Sequence, residues 1–459
     1  MKKILIFAGL LITTFVCNAE PQKLTNIVCF VKFADQPDWQ PDYAKYEKMF
    51  NDITPGANSV ANYFHDMSYG KLEWNSTIIP VVYTDAHRTG YFQEESASNA
   101  IGYTYLDLLL NTRTNTLVKD MCAAIQSQLP EGILLDGNKD GRVDNLTVII
   151  CGDSGTSSSE MLWPKNNVVS TAWLNGVQCK NYLMVFDGAN GYKNTAYGKE
   201  PQALSTGILC HEMMHTLNAY DLYTSSNPHL NPVYVWDLMS DNQQVPQSLS
   251  AHVRATYGAA FGEWIPESEI AEIISAGTYS VKPVTSPTPD GVAFKIHPDK
   301  SRSEYFMIEC RDKSNQWDAS LPYGGLLVYR VNPGMCGNTG ASDKYEMYVF
   351  RPYGSTSVVG TIGKAPLGEE TGRTSFGTAN DADYPFYSDG TRANFSVSNV
   401  KKSSDGMSFD LSFNTSGVTE IEIDALDGTE KIYTLQGMRI NRVTTPGIYI
   451  VNGKKLFLR

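Results

Sequence analysis

The sequence has little positive charge for its length. It carries 37 Lys and Arg residues against 49 Asp and Glu residues, which gives a formal net charge of −12. A negative surplus repels phosphate backbones and anionic lipid headgroups, so we expect no nucleic-acid partner and no docking on an anionic membrane. With 459 residues the chain is too long for one hydrophobic core, and two or three domains are expected.

Long apolar runs are also scarce, and the one near the amino terminus is short. Lys2 and Lys3 precede an apolar stretch from Ile4 to Val16, and Ala19 supplies a small residue before a cleavage site. This is the pattern of a signal peptide, which we place at residues 1–19. The run is too short to span a bilayer, so we predict a secreted or cell-surface protein without stable membrane insertion.

Cysteine gives little support for a disulfide framework. Of the eight cysteines, Cys17 lies in the predicted signal peptide, so an odd number remains and at least one thiol must be free. Cys310 with Cys336 is the pair that we consider for a disulfide. Cys17 also leaves lipidation open, although the residues before it match a lipoprotein signal poorly.

One stretch of the chain carries recognisable chemistry. His211 and His215 are four residues apart, so on a helix both imidazoles face one side and can reach one metal ion. Glu212 is offset by one residue and can act on a water molecule beside that metal. Catalytic zinc takes three protein ligands and keeps one open position, and Asp221 is available as the third ligand. Asn218 lies between them, where a sharply turning helix end favours a residue that tolerates positive φ.

The spacing of these residues resembles the metzincin signature. Its Asp form resembles the immune inhibitor A family of secreted bacterial metallopeptidases, although that family has Gly where this chain has Asn218. Further matches extend over residues 25–335 and include Ser59–Phe64, Ser68–Leu72, Asp136–Asp144, Trp163–Pro164, Trp236–Ser240, Glu304–Phe306, Glu309 and Gly324–Leu327.

The resemblance implies a zinc-dependent endopeptidase that hydrolyses peptide bonds in proteins or peptides. It implies that His211, His215 and Asp221 hold zinc and that Glu212 is the general base for the attacking water. Met239, in the segment that matches the family's Met-turn, would form an apolar floor beneath the histidines. Its alternative role is ordinary core packing.

Two other functions stay open at this point. One is a catalytically inactive, secreted, peptidase-like binding or adhesion protein, although the intact ligand and base positions argue against it. The other is a zinc peptidase whose third ligand is a distant glutamate, for which the chain offers Glu263, Glu267 and Glu269. The sequence also does not decide which side chain would stabilise an oxyanion among His252, Arg254 and Tyr257.

A second candidate metal site precedes the histidines. Oxygen-bearing or loop residues recur at alternate positions in Asp136, Asn138, Asp140, Arg142 and Asp144, with a glycine at the bend. This resembles the start of an EF-hand calcium loop, but the bidentate Glu of the twelfth position is missing and a strand-like run follows. We predict Ca²⁺ here, and the alternative is a solvated turn rich in Asp and Asn.

The expected fold class is α+β. We predict a metzincin-like catalytic domain at residues 20–266, with a mixed twisted sheet and an active-site helix. A β-sandwich should follow at 267–415, because short alternating strands replace the earlier pattern. Residues 414–417 form the expected linker. The small β domain at 416–459 resembles the sorting domains read by the type IX secretion machinery, and its alternative is another hairpin of the sandwich.

Several local elements can be predicted from turn and cap signals. They are a strand at Asn26–Phe33, a helix capped by Ser59, a strand at Lys71–Tyr83 broken at Pro80, a helix within Leu106–Leu129, a hairpin at Asn175-Gly176 and the motif helix from Ser205 or Thr206.

Overall fold

The computed structural model describes most of the chain after the predicted signal peptide. The described residues are 20–195, 198–225, 230–340, 344–379, 381, 383–413, 419–421, 431–440, 442–443 and 447–458. The predicted signal peptide, Cys17 within it, and the predicted linker lie outside them. Within these ranges, no helix is long and apolar enough to cross a membrane. The fold mixes several sheets with few helices, in agreement with the α+β class.

The first part of the chain forms a mixed sheet flanked by helices. Its strands are β1 Gln22–Phe33, β2 Leu72–Asp85, β3 Arg142–Val143, β4 Asn145–Ile150, β5 Lys165–Val168, β6 Trp173–Leu174, β7 Val177–Cys179, β8 Asn181–Phe186, β9 Ala189–Thr195 and β10 Gly198–Ala203. The helices are α1 Tyr43–Asn51, α2 Val60–Met67, α3 Tyr105–Leu110, α4 Thr112–Ile125, α5 Thr206–Thr216 and α6 Ala251–Tyr257.

The main sheet has the strand order β2-β1-β4-β8-β5. Its strands run parallel except for β5, which pairs antiparallel with β8 and lies at one edge. Two smaller sheets, β10-β9 and β3-β7-β6, lie beside it. The antiparallel edge matters for the site, because the residues around β5 face the motif helix α5.

Strand β1 places alternate side chains on opposite faces of the main sheet. Val28 and Phe30 belong to the apolar core that contains α1, α2 and α5. Cys29 and Val31 belong to a second core that contains α4. This period-two alternation is the geometry of a strand that is buried on both faces.

The following part of the chain forms two sheets that share one core. Its strands are β11 Ala271–Glu272, β12 Gly277–Val281, β13 Ala293–Ile296, β14 Tyr305–Arg311, β15 Gly325–Val331, β16 Met347–Val349, β17 Phe395–Lys402 and β18 Met407–Phe413. They pair in the orders β11-β13-β14-β15-β16 and β12-β18-β17. Phe306 and Val328 of one sheet and Phe395 and Phe409 of the other lie in the same apolar cluster, as in a sandwich.

The apolar core on the α5 side continues past residue 266. Met213 of α5 and, from beyond the predicted boundary, Val292, Met307 and Leu327 are buried in this one core. The division at 266 therefore stays a prediction, and packing is continuous across it. The C-terminal strands β19 Thr419–Ile421, β20 Ile432–Tyr433, β21 Arg439–Ile440, β22 Gly447–Val451 and β23 Lys454–Leu458 form their own sheet in the order β19-β23-β22-β20-β21.

Local predictions were confirmed where a cap or a turn controls the backbone. The Ser59 side chain accepts a hydrogen bond from the amide of Asn62 at the start of α2, and Ser205 does the same for Ile208 at the start of α5. The hairpin turn is also present, with positive φ at Asn175.

The helix predicted within Leu106–Leu129 is confirmed as α4, and the short helix α3 precedes it across Asn111, which has φ of 51°. Two local predictions, the break at Pro80 and the disulfide, need correction. Strand β2 runs through Pro80, and the missing N–H falls where the pairing register with β1 shifts. Cys310 and Cys336 do not form a disulfide, since both thiols are free, Cys310 buried and Cys336 exposed.

Candidate metal centre

Helix α5 carries both motif histidines on its cleft-facing side. Its opposite side is apolar and contributes Leu209, Cys210, Met213 and Leu217 to the core on that face of the sheet. Burial of those side chains fixes how the helix is rotated. Cys210 is therefore a core residue, as predicted from its direction on the helix, which differs from that of His211 and His215.

The helix ends immediately after His215 in a Schellman turn. The amide of Ala219 donates to the carbonyl of Met214 at 3.1 Å, and the amide of Asn218 donates to that of His215 at 2.9 Å. Asn218 has φ of 67°, so the positive φ predicted for this position is confirmed. The turn reverses the chain and brings Asp221 back to the histidine side of the helix.

Three potential ligand atoms converge after this turn. The Nε2 atoms of His211 and His215 lie 3.1 and 3.3 Å from Oδ1 of Asp221. One ligand atom from each residue lies within 4.8 Å of the other two, and across the described ranges these are the residues that form such a group. Glu263, Glu267 and Glu269, the alternative third ligands, are not part of it.

The far side of each imidazole is held by a backbone carbonyl. Nδ1 of His211 lies 2.9 Å from the carbonyl oxygen of Leu238, and Nδ1 of His215 lies 2.8 Å from that of Ala219. A carbonyl oxygen only accepts, so each Nδ1 must carry the hydrogen. In the neutral rings both Nε2 atoms then present lone pairs towards Asp221, the tautomer that metal-binding histidines require.

The Asp221 carboxylate fits a bound cation. Its Oδ1 is buried and, among the described residues, has no hydrogen-bond donor, although both Nε2 atoms are close. Burial acts to lower the pKa of His211, but the Asp221 contact and the nearby Glu212 outweigh it and raise that pKa to about 9. Burial acts to raise the pKa of Asp221, and the two histidines hold it well below its usual range. Positive charge beside Asp221 therefore stabilises its ionised carboxylate. A divalent cation bound between the three ligands would supply that charge.

Glu212 lies in the same cleft and is 8% exposed. Burial raises the pKa of its carboxyl above the ordinary value, and the neighbouring histidines act in the opposite direction.

The cleft has a volume of about 480 Å³ and is lined by Ser158, Trp163, Pro164, Lys165, Asn166, His211, Glu212, His215, Asn218, Ala219, Tyr220, Asp221 and Tyr223. Larger cavities of about 700 and 850 Å³ open elsewhere and contain none of the candidate ligands, so chemistry and not size singles out this cleft.

Met239 is fully buried, in the core shared with Met213 and Met214. Its amide donates to Asp237 at 2.8 Å, and its carbonyl accepts from the amide of Leu222 at 2.7 Å. The segment of Leu238 and Met239 therefore contacts both Leu222, next to Asp221, and His211.

The predicted calcium loop has a different geometry. Oxygens of Asp136 accept the amides of Asp140 and Gly141, and an oxygen of Asp140 accepts the amide of Arg142. Asn138 also accepts the amide of Asp140. These are bonds within a turn. Calcium therefore stays a prediction.

Asp144 points from this loop towards strand β1. Its carboxylate accepts the amides of Thr25 and Gly137 at 2.9 and 2.8 Å. Burial raises the pKa of Asp144 to about 6, although these backbone bonds act to lower it. Asp144 thus ties the loop to the main sheet.

The sequence did not indicate the contacts that fix α5 over the sheet. Asn166 of β5 donates to the carbonyl of Glu212 at 3.1 Å and to the hydroxyl of Thr216 at 2.8 Å. The Thr216 hydroxyl in turn donates to Asn145 of β4 at 2.8 Å. The sequence feature that could have indicated these contacts is Asn166, a polar residue just after Trp163–Pro164.

None of the three oxyanion candidates lines the cleft, although the Tyr257 ring lies 6.3 Å from that of Tyr220, which does. Arg254 is fully buried and donates to the carbonyl of Val284 at 2.7 Å. His252 and Tyr257 both contact the carboxylate of Glu346, at 2.9 and 2.8 Å. All three are engaged in packing between parts of the chain.

Comparisons with known proteins give little. No protein-family model and no curated protein matches the chain. The similar solved structures include wild-type OgpA from Akkermansia muciniphila, with a TM-score of 0.26 and 11% identity over 70% of this chain and 75% of that chain. A catalytically inactive OgpA from the same organism, in complex with an O-glycopeptide (glycodrosocin) substrate, has a TM-score of 0.25 and 9% identity over 70% and 75%. Likeness at this level carries no argument about the fold or the function of this chain.

Proposed function

We propose that this protein is a secreted zinc-dependent endopeptidase that hydrolyses peptide bonds in proteins. The observation that carries the proposal is the convergence of His211 Nε2, His215 Nε2 and Asp221 Oδ1 in a cleft that also contains Glu212. Two imidazoles and one carboxylate form a ligand set that leaves a fourth zinc position open, which is the arrangement of a catalytic site.

When bound, zinc would lower the pKa of a water molecule and polarise the carbonyl group of the peptide bond. Glu212 takes a proton from the attacking water and returns it to the leaving amine. Its burial supports this role, because a pKa raised towards the operating pH suits a group that both accepts and donates a proton.

The cleft also supports a peptide substrate. Strand β5 lies at the edge of the main sheet, and its Lys165 and Asn166 line the cleft. An extended peptide would add to this sheet edge through main-chain hydrogen bonds, while Trp163 and Tyr223 offer surfaces for side chains.

Peptide-library cleavage tests the proposed activity. The purified protein should cleave peptides, lose the activity on dialysis against a chelator and recover it when zinc is added. Absence of cleavage by zinc-loaded protein would contradict the proposal. Tight peptide binding without cleavage would favour the inactive binding or adhesion protein.

We also propose that the chain is an immune inhibitor A-like peptidase and that residues 416–459 direct its export by the type IX secretion machinery. Support for a separate address comes from a sheet with its own small core of Ile432, Val443, Val451 and Leu456. Removing residues 417–459 should leave peptidase activity and impair export. An insoluble truncated protein would instead favour a structural part of the fold.

A further inference from the structure

The loop between β15 and β16 reaches the segment that carries Asp221. Its described residues are 332–340 and 344–346. It comes from the part of the chain after the predicted catalytic domain. Two of its residues, Gly337 and Asn338, contact the backbone at Asp221.

Asn338 is fully buried and bonds to both sides of this contact. Its amide donates to the carbonyl of Asp221 at 2.8 Å, and its Nδ2 donates to the carbonyl of Leu222 at 2.7 Å. The same side chain donates to the carbonyl of Met347 at 3.0 Å and accepts from the Met347 amide at 3.3 Å. One residue thus joins the Asp221 segment to strand β16.

Gly337 packs against the same segment and has φ of 74°. A Cβ at this position would lie 2.7 Å from the carbonyl oxygen of Asp221 and 2.7 Å from Cβ of Tyr220. The Gly337 amide donates to the carboxylate of Glu346. Glu346 also contacts His252 of helix α6 at 2.9 Å, so the loop is anchored to a second buried element.

The segment that these residues hold follows the end of helix α5. Past Asn218 the chain is irregular, and Leu222 is bonded to the carbonyl of Met239 through its own amide. The position of the Asp221 carboxylate relative to the two histidines therefore depends on partners from elsewhere in the chain. A displacement of about 1 Å at such a position is enough to impair a site.

We propose that Asn338 is a positioning residue for the metal centre and that the segment of residues 332–340 completes this centre from outside the peptidase region. The inference rests on the proposed function, since it needs His211, His215 and Asp221 to bind a metal. It adds that the third ligand is placed by the second part of the chain, so metal affinity depends on contacts across residue 266.

Cobalt(II) is the probe for the test, because its visible absorption reports the ligands and geometry of the site. The absorption spectrum and the cobalt affinity, measured by competition with a chelator, are compared for the unmodified protein, Asn338→Ala and Gly337→Ala. The matched control is Asn190→Ala, because the Asn190 side chain is also buried and bridges backbone groups. Its Nδ2 donates to the carbonyl of Phe186 at 2.7 Å, and its Oδ1 accepts a hydrogen bond from the Phe186 amide at 2.8 Å.

Asn338→Ala keeps the backbone amide that donates to Asp221 but loses the Nδ2 bond to the neighbouring Leu222 carbonyl. It should weaken cobalt binding by about tenfold, the lower end of the effect of losing a contact around a metal ligand, and should change the spectrum. Asn190→Ala should keep both, even if its melting temperature falls. A folded Asn338→Ala with unchanged spectrum and affinity would overturn the inference. If Asn338→Ala does not fold, Gly337→Ala decides it by the same two readouts.

The outcomes also separate this inference from the proposed function. An unmodified protein that binds no cobalt at the site would overturn the metal centre, and the inference with it. An unmodified protein that binds cobalt, together with variants at Gly337 and Asn338 that bind it equally well, would leave the metal centre standing and remove the positioning role.

Discussion

The two candidate metal loops differ in what their carboxylates contact. In the centre at α5, Oδ1 of Asp221 is buried and faces two imidazole nitrogens, and while both rings are neutral it has no hydrogen-bond donor among the described residues. In the loop before β4, oxygens of Asp136, Asp140 and Asp144 accept backbone amides.

This difference decides how much each loop requires an ion. A buried acceptor without a donor costs about 1–3 kcal/mol, and more when the group is charged, so the Asp221 arrangement needs a cation or bound protons to be stable. A loop whose carboxylates accept backbone amides can be stable as a turn without an ion, although lone pairs remain on each carboxylate. The spacing of Asp and Asn residues in a sequence therefore predicts a metal site less well than the hydrogen bonds that their oxygens make or lack in the structure.

The largest effect is expected at Glu212, which would sharpen the assignment of the α5 cleft as catalytic. Glu212→Ala and Glu212→Gln should reduce kcat by about 100- to 10,000-fold, because the proton acceptor is removed. Both variants should retain zinc, since the three ligands remain. Glu73→Ala, which alters a half-buried acid on β2 that pairs with Lys23, serves as the control and should keep full activity. Near-full activity of the Glu212 variants would show that the base lies elsewhere.

The pH dependence of zinc binding tests whether protons occupy the centre when metal does not. The pKa of His211 rises from 6.5 to about 9 in the folded, metal-free protein. The stabilising charge of this ring is therefore fully present below pH 6.5 and is lost as the pH rises through about 9. Zinc must displace the same proton, so its apparent affinity should increase by up to about tenfold per pH unit across this window.

Competition titrations with a chelator at several pH values between 6.5 and 9 measure this dependence. An affinity that stays constant across the window, after correction for the chelator's own protonation, would contradict the charged state assigned to the centre without metal.

A smaller effect is expected from calcium, and it could break the contrast between the two loops. An ion that binds the native state alone stabilises it by about 2.7 kcal/mol at 100 times its Kd, which raises the melting temperature by several degrees. If the Asp136–Asp144 loop binds calcium, Asp140→Ala should abolish that rise. Asp312→Ala is the control, because Asp312 also accepts the amide two residues on, from Ser314. Identical melting curves with and without millimolar calcium would leave the loop as a turn only.

The smallest effect is expected at Asn218. A left-handed backbone costs an L-residue with a side chain roughly 1–2 kcal/mol, and Asn bears less of this cost than most. Asn218→Gly should therefore change the free energy of unfolding by at most about 1 kcal/mol and keep zinc. Asn218→Val should be clearly less stable, because a branched side chain fits φ of 67° poorly. Equal stability of the Val variant would contradict the described turn.

Short-range features of this chain could be predicted from its sequence because local sterics control them. The caps at Ser59 and Ser205, the turn at Asn175 and the positive φ at Asn218 each depend on a few neighbouring residues. The helical spacing and that turn also place both histidines and Asp221 on the same side of the helix. Whether zinc occupies the centre stays a prediction.

Long-range contacts of the same site could not be predicted. The carbonyl of Leu238 that holds His211 and the amide of Asn338 that holds Asp221 are backbone groups, which leave no signature in the residue types. The apolar core that crosses residue 266 was also hidden, because the change to short alternating strands indicates a new sheet and not where that sheet packs.

The most direct test of the account is the zinc content of Asp221→Ala. Purified unmodified protein and the variant are dialysed under the same conditions, and their bound zinc is measured by elemental analysis together with their melting temperatures. We predict one zinc per chain in the unmodified protein and loss of it in the folded variant, with affinity lower by well over the roughly 100-fold of an indirect contact. Full zinc occupancy in folded Asp221→Ala would contradict the account, because the third ligand would then lie elsewhere.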